Sequence, residues 1–287
     1  MPRLWFCTSN DRKLLPCVLT AAGVSEEQMT SQSRGIYGAA IFASGSDVLT
    51  LKRPVSPGTK LAGFDGRDLR TNRFLGFHDP DETAVFRNDD VQPFRHKGWV
   101  MAQIGTAPPH MNYPENPLDA DFIRHNLRGF STHEFFFHRV LARLYHTHPV
   151  GGKDTSPEVI VGAVYDVLEE LDDKEQRDFT LALTCENMGV VITRGRDVRY
   201  RTVRGIKNCS RCSSTSRKAH NKIMVSHKHA SAVVVVDGLE VSGQAWKSLA
   251  PDNALVVASE PPAYLIDFQT YQASAPDSVE DVNQAEA

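Results

Sequence analysis

The chain has 287 residues, enough for one large α/β domain or two small ones, with 41% hydrophobic and 23% charged residues as in ordinary globular proteins. Its formal net charge of -3 gives no electrostatic basis for binding nucleic acid or a membrane surface, so we expect neither as a partner. The sequence has no apolar run near the roughly 20 residues of a bilayer-spanning helix, no signal-peptide core, and five cysteines, which together predict a cytoplasmic protein without a disulfide framework.

The hydrophobic patterns predict alternating strands and helices along most of the chain. Period-two and short apolar runs predict strands over 3–8, 36–42, 47–52, 74–78, 99–105, 179–185, 189–193, 198–203, 231–236, 254–259 and 264–268. Helices are predicted over 14–22, with Asn10 or Asp11 as the N-cap, and over 157–171. We expect loop with one short helix over 54–70, and irregular structure over the proline-rich segment 108–117.

A further helix is predicted to start at Ser131. Ser131 and Glu134 have the spacing of a capping box, and a run of apolar residues follows. The chain shows no internal repeat and no linker between two cores. We therefore expect one domain over residues 1–268, followed by a disordered acidic tail over 269–287.

Three short motifs indicate a family. They are Gln92-Pro93-Phe94, the segment Trp-Val-Met-Ala-Gln-Ile-Gly at 99–105, and the segment Gly-Phe-Ser-Thr-His-Glu at 129–134. This order resembles the class II glutamine amidotransferases, which read Pro-Phe, then Trp-x-(Phe)-Ala-His-Asn-Gly, then Gly-x-Thr-Asp-Ser-Glu, after an N-terminal Met-Cys-Arg-Leu. The resemblance covers about residues 1–268. It implies an α/β fold of the N-terminal-nucleophile (Ntn) hydrolase type, a four-layer αββα sandwich with two largely antiparallel sheets, and it is compatible with a homo-oligomer.

The resemblance fails at the nucleophile. Family members use a cysteine exposed after removal of the first methionine, and its own α-amino group assists as a base. Here Pro2 stands in that place, and a proline cannot supply a thiolate. Cys7, Cys17 and Cys185 are predicted to be core residues on a strand or helix, so none is a candidate replacement.

The residues that match the family's substrate pocket are also changed. Ile104 stands at the position of the oxyanion-binding asparagine, after Gln103 at the histidine position, while Gly105 keeps a backbone N–H. Thr132 replaces the aspartate that holds the substrate's ammonium group, and His133 replaces the serine. These five residues form a vestigial pocket on this interpretation.

The family's substrate-carboxylate arginine is missing as well. Asp79 stands near its position, at the end of the strand over 74–78, where a carboxylate would repel the substrate. Arg73, at the other end of that strand, is a candidate replacement.

These departures predict a pseudoenzyme. We expect a glutamine amidotransferase-like protein without glutaminase activity, acting as a binding or regulatory module for an unknown protein partner or small molecule. The alternative is an Ntn-type amidohydrolase with altered chemistry, in which the Pro2 amine or His133 is the base.

A second cluster has the spacing of a metal half-site. Cys209 and Cys212 are separated by two residues, and His220, His227 and His229 follow. We expect no cofactor unless Cys209, Cys212, His220 and His227 bind zinc. The same segment is rich in lysine and arginine, so a solvated surface loop, or a contact with an anion or acidic partner, are the alternatives.

Overall fold

The computed structural model describes residues 1–25, 27–28, 30–42, 47–59, 61, 71–81, 85–106, 113–147, 155–170, 178–207, 209, 212, 227–241, 245–258 and 263–267. The predicted tail over 269–287 and most of the predicted loop over 54–70 lie outside these ranges.

The first sheet has seven antiparallel strands, and the N-terminal strand lies in its middle. Across the sheet the order is β11 (Lys247–Leu249), β9 (Val198–Arg204), β10 (Ser231–Asp237), β1 (Arg3–Ser9), β4 (Arg73–Asp79), β2 (Gly35–Phe42) and β3 (Val48–Val55). Strand β1 pairs with β10 on one side and β4 on the other, so Leu4 lies between Asp237 and Phe77. Both backbone edges of the N-terminal strand are therefore hydrogen-bonded.

The second sheet has six antiparallel strands. Their order is β13 (Ala263–Asp267), β12 (Asn253–Ala258), β8 (Met188–Arg194), β7 (Phe179–Thr184), β6 (Trp99–Gly105) and β5 (Phe94–His96). The short strands β5 and β11 were not predicted from the sequence, because three residues are too few for a periodic pattern.

The described part of the chain has four helices: α1 (Leu15–Ala22), α2 (Pro117–Asn126), α3 (Thr132–Thr147) and α4 (Pro157–Glu169). Pro117 and Pro157 open α2 and α4, where the N–H that proline lacks would have no partner within the helix. Asn116 and Ser156 cap them by accepting hydrogen bonds from the N–H groups of Leu118 and Val159. Each described helix is too short or too polar to traverse a bilayer.

Three buried apolar clusters correspond to the three interfaces between four layers. Alternation along β1 sends Trp5 and Cys7 outward beneath α1, and Leu4 and Phe6 inward between the sheets. The third cluster joins α3 and α4 to the outer face of the second sheet. The layer order is α1, first sheet, second sheet, α3 with α4, which confirms the predicted αββα sandwich.

The predicted cap of α1 is wrong. Residue Leu14 occupies the N-cap position, and its side chain makes no capping hydrogen bond. The Asn10 side chain instead donates to the carbonyl of His229 and accepts from the N–H of Ser231, which ties the end of β1 to the start of β10. The side chain of Asn10 does bond to backbone groups, as a cap would, but its partners lie over 200 residues away in sequence and cannot be predicted from local spacing.

Two further local predictions change around α2 and α3. Helix α2 was not predicted; it starts at Pro117, the last residue of the segment 108–117, whose described residues 113–116 are irregular as expected. The carboxylate of Glu134 accepts hydrogen bonds from the N–H groups of Arg128 at 3.1 Å and Gly129 at 2.8 Å. Glu134 thus binds backbone N–H groups two and three residues before Ser131, whereas a capping box predicts a bond to the N–H of Ser131 itself.

Candidate functional site

The start of β1 is where an Ntn hydrolase carries its nucleophile. Pro2 is half-buried, and its carbonyl oxygen lies against Gly238, just beyond the end of β10. A Cβ atom at Gly238 would lie 2.3 Å from that oxygen, and its φ of +72° also favours glycine. Pro2 and Arg3 carry neither a thiol nor a hydroxyl, so this end of the strand offers no side-chain nucleophile for acyl transfer.

Cys7 cannot take over this role. It lies five residues along β1 from Pro2, fully buried beneath α1, and burial raises the pKa of its thiol far above the usual range. The thiolate form that attacks a carbonyl is therefore suppressed. All five cysteines are described, and none is in a disulfide.

The face of β1 that looks toward the second sheet is closed by apolar side chains. Leu4, Phe77 and Ile104 belong to the same buried cluster between the sheets, and Ile104 is only 2% exposed. Ile104, at the position of the expected oxyanion donor, therefore contributes packing. A hydrocarbon side chain has no N–H to stabilise a developing negative charge.

Gln103 and Ile104 do not form a common pocket. Along β6, Ile104 points between the sheets, so its neighbour Gln103 points to the helical side. The Gln103 backbone is held on both sides by the Gln92 side chain, which donates to its carbonyl at 2.8 Å and accepts from its N–H. The Gln103 side chain donates to the carbonyl of Thr106 at 3.3 Å. The expectation that these two side chains line one site is wrong.

Gly105 has a structural reason to be glycine. Its φ is +99°, and a Cβ atom there would lie 2.0 Å from the carbonyl oxygen of Asp178. Any other residue would have to move the β6–β7 pair apart. Because of this constraint, the retained glycine is not in itself a sign of an oxyanion hole.

Thr132 and His133 occupy the first turn of α3. Thr132 is exposed, whereas His133 is half-buried and burial lowers its pKa to about 4. Two carboxylates accept hydrogen bonds from the backbone just before them. Glu134 accepts from the N–H groups of Arg128 and Gly129, and Asp90 accepts from the N–H of Phe130 at 2.5 Å. The carboxylate in the first turn of α3, that of Glu134, is buried and already bonded to these N–H groups, and Thr132 offers no carboxylate for a substrate ammonium group.

Sequence reasoning missed a buried polar pair on the other face of β4. The His78 ring nitrogen Nε2 lies 3.2 Å from the hydroxyl oxygen of Ser31, and burial, with the positive charges of Arg3 and the N-terminus, lowers the His78 pKa to about 4. The Ser31 hydroxyl donates to the carbonyl of Ser33, so it accepts from His78. A histidine that donates to the serine does not activate it as a nucleophile, so the pair is structural.

Arg73 cannot replace the missing carboxylate-binding arginine. It pairs with Thr8 at the far end of β4, six residues and about 20 Å from Asp79. Its guanidinium is buried and donates to the carbonyls of Cys185 and Met188 in the other sheet. Arg73 therefore links the two sheets, and the suggestion that it compensates at the substrate end is wrong.

The predicted metal half-site gains a ligand from elsewhere in the chain. The side chains of Cys17, Cys209, Cys212 and His227 have their donor atoms within 4.8 Å of one another. Cys17 comes from α1 and was predicted to be a simple core residue, while His220 lies outside the described residues. Burial, reinforced by the neighbouring Cys209 and Cys212, raises the pKa of the Cys17 thiol.

A cationic cleft of about 690 Å³ opens beside this cluster. Its walls come from the end of α1, β9 and the residues after it, and the segment around β11; the basic lining residues are Arg201, Arg204, Lys207 and Lys247. The Arg201 guanidinium is held in place by donating to the carbonyl of Ala22 at 3.0 Å. Clustered cations at a concave surface attract anions.

The sequence matches no protein-family profile and no curated protein. Among solved structures, this chain is similar to a glutamine aminotransferase class-II domain protein from Silicibacter pomeroyi, with 14% identity, a TM-score of 0.51, and coverage of 92% of this chain and 98% of that one. A predicted glutamine amidotransferase from Pseudomonas aeruginosa gives 14% identity, a TM-score of 0.53, and coverage of 90% and 94%. Glutamine phosphoribosylpyrophosphate amidotransferase from B. subtilis gives 11% identity, a TM-score of 0.51, and coverage of 93% of this chain and 49% of that one. The fold is that of the class II glutamine amidotransferase domains.

Proposed function

We propose that this chain is a class II glutamine amidotransferase-like protein that does not hydrolyse glutamine and acts as a binding or regulatory module. The observation that carries the proposal is the buried Ile104, which packs with Leu4 and Phe77 at the position of the oxyanion donor. The absence of a thiol or hydroxyl at the start of β1 supports it independently.

The alternative in which His133 is the base of an altered chemistry is less well supported. A general base works best when its pKa lies near the working pH, whereas the pKa of His133 is about 4. His78, which pairs with Arg3 at the start of β1, has a similarly low pKa and donates to Ser31. Either ring is a weak base at neutral pH.

Glutamate release from L-glutamine by the purified full chain tests the loss of activity. We expect no release above that of a buffer blank. A variant with Pro2→Cys exposed at the N-terminus, Ile104→Asn and Thr132→Asp should also be inactive, because the new amide at 104 would lie among apolar side chains at a cost of about 1–3 kcal/mol. Release that disappears in His133→Ala would overturn the proposal and support the altered enzyme.

The cationic cleft is the surface at which this module would bind an anionic ligand. Inorganic pyrophosphate is a suitable probe, because it is small, carries several charges and needs no hydrophobic contact. We expect pyrophosphate to raise the melting temperature of the chain, by an amount that decreases as salt is added. Lys247→Glu should weaken pyrophosphate binding at least about tenfold, equivalent to roughly 1.4 kcal/mol.

Arg124→Glu is the matched control, since Arg124 is an exposed cation on α2 that does not line the cleft. If pyrophosphate binds equally to all three proteins, or to none, the cleft is not the binding surface. The glutaminase assay is independent of this outcome.

A further inference from the structure

We propose that one Zn²⁺ ion ties helix α1 to the segment between β9 and β10, held by three thiolates and one imidazole: Cys17, Cys209, Cys212 and His227. This inference does not depend on the loss of glutaminase activity, because the cluster lies on the opposite face of the first sheet from Ile104.

The separations of the donor atoms suit a tetrahedral zinc ion. With Zn–S bonds of about 2.3 Å and a Zn–N bond of about 2.0–2.1 Å, the edges of the tetrahedron are about 3.8 Å between two sulfurs and about 3.6 Å between sulfur and nitrogen. The Sγ atoms of Cys17 and Cys212 are 3.6 Å apart, and Cys212 Sγ lies 3.9 Å from His227 Nε2. The side chains are thus at ligand spacing with little rearrangement.

Separate parts of the backbone bring these groups together. Cys17 lies in the first turn of α1, and a turn with an N–H to carbonyl hydrogen bond of 3.2 Å joins Cys212 to Cys209. The carbonyl of His227 accepts from the N–H of Ile206 at 2.8 Å, which closes the base of the segment between β9 and β10. The ligands are therefore positioned by backbone hydrogen bonds and by packing under α1.

A simple apolar core does not account for this cluster. His227 is fully buried, and it lies beside three thiols at the edge of the cluster beneath α1. A disulfide does not account for it either, because the 3.6 Å between Cys17 and Cys212 is well beyond the 2.05 Å of an S–S bond.

The chemistry of the donor set favours zinc and a structural role. Thiolates and imidazole together select zinc over the hard cations magnesium and calcium. Three thiolates around Zn²⁺ leave one net negative charge, and Lys207 and Lys228 flank the ligands in the chain with positive charge. Four protein ligands complete a tetrahedron without a position for water, as in structural zinc sites.

Elemental analysis and zinc K-edge X-ray absorption of the full chain, purified under reducing conditions, test the proposal without any mutation. We expect about one zinc per chain, with three sulfurs near 2.3 Å and one nitrogen near 2.0 Å. Removal of zinc by a chelator should lower the melting temperature by about 5–10 °C, because the ion binds only the folded chain.

Variants then identify the ligands. Cys17→Ser should weaken zinc binding at least about 100-fold, more than is typical for the loss of an outer-shell contact. Cys185→Ala is the matched control, since Cys185 is a buried cysteine outside the metal cluster, in the apolar core of the other sheet, and this variant should keep one zinc. Each of three results would overturn the proposal: a zinc-free chain whose five cysteines are all reduced thiols, an absorption spectrum without sulfur ligands, or full zinc binding by Cys17→Ser.

Discussion

Replacing Arg73 by alanine should be among the most destabilising substitutions in the described part of the chain. Arg73 is 1% exposed, and its guanidinium donates to the carbonyls of Cys185 and Met188 at the turn between β7 and β8. The side chain starts in one sheet and its hydrogen bonds end in the other. Its removal therefore affects the interface between the sheets.

The magnitude follows from three contributions. Two buried carbonyls lose a charged donor, at about 1–3 kcal/mol each. The two methylene groups beyond Cβ lose about 1.6 kcal/mol of burial. Relief from burying the cation, whose pKa burial lowers to about 10, offsets part of this loss. We expect Arg73→Ala to lower the free energy of unfolding by about 4 kcal/mol.

Urea denaturation followed by far-UV circular dichroism measures this change, with the midpoint and slope compared with the parent chain. Arg199→Ala is the control, because the Arg199 guanidinium also has a polar partner, the carboxylate of Asp197, but its side chain is 42% exposed; we expect a loss below about 1 kcal/mol. If Arg73→Ala costs no more than Arg199→Ala, the link between the sheets does not contribute to stability and the reasoning is refuted.

Three further changes test the fold around the site. Gly105→Ala should cost about 2–4 kcal/mol in thermal or urea unfolding, because of its positive φ and the approach of a backbone carbonyl, whereas Gly98→Ala, with open space around it, should be nearly neutral. Asp237→Ala should cost about 3 kcal/mol, since it leaves Arg196 without its 2.7 Å ion pair at a buried site, and Arg196→Ala added to it should cost little more. In the folded chain the pKa of His78 is lowered from 6.5 to about 4, so the neutral ring contributes its full stabilisation above pH 6.5 and loses it as the pH falls toward 4. Between these pH values, His78→Gln should reduce the slope of the free energy of unfolding against pH by up to about 1.4 kcal/mol per pH unit. An unchanged slope would contradict the lowered pKa.

The layers of the fold could be predicted from the sequence because each layer has its own periodicity. The apolar faces of α3 and α4 and the alternating residues of β1 identify the buried sides without knowledge of distant partners. The class was predicted from short motifs that also have structural roles, such as Gly105. These are local features, and local features can be read along the chain.

The parts that could not be predicted depend on contacts between distant segments. Cys17 lies 195 residues from Cys212, so the spacing of the cysteine pair could not reveal it as a neighbour, and a histidine nearer in sequence was expected instead. Arg73 is similar: its position at the start of a strand was clear, but its partners in another sheet were not. The sequence shows which side chains are polar, but it does not show which of them are buried against partners in distant segments, as Arg73 and His78 are.

The central place of β1 has a consequence for synthesis of the chain. Its partner β4 follows within 80 residues, but its other partner, β10, begins only at Ser231. During translation, one edge of the N-terminal strand therefore stays unpaired until most of the polypeptide, including β10, has been synthesised. Because exposed strand edges can pair with other chains, a nascent or truncated chain that stops before β10 should be far more prone to aggregate than the finished one.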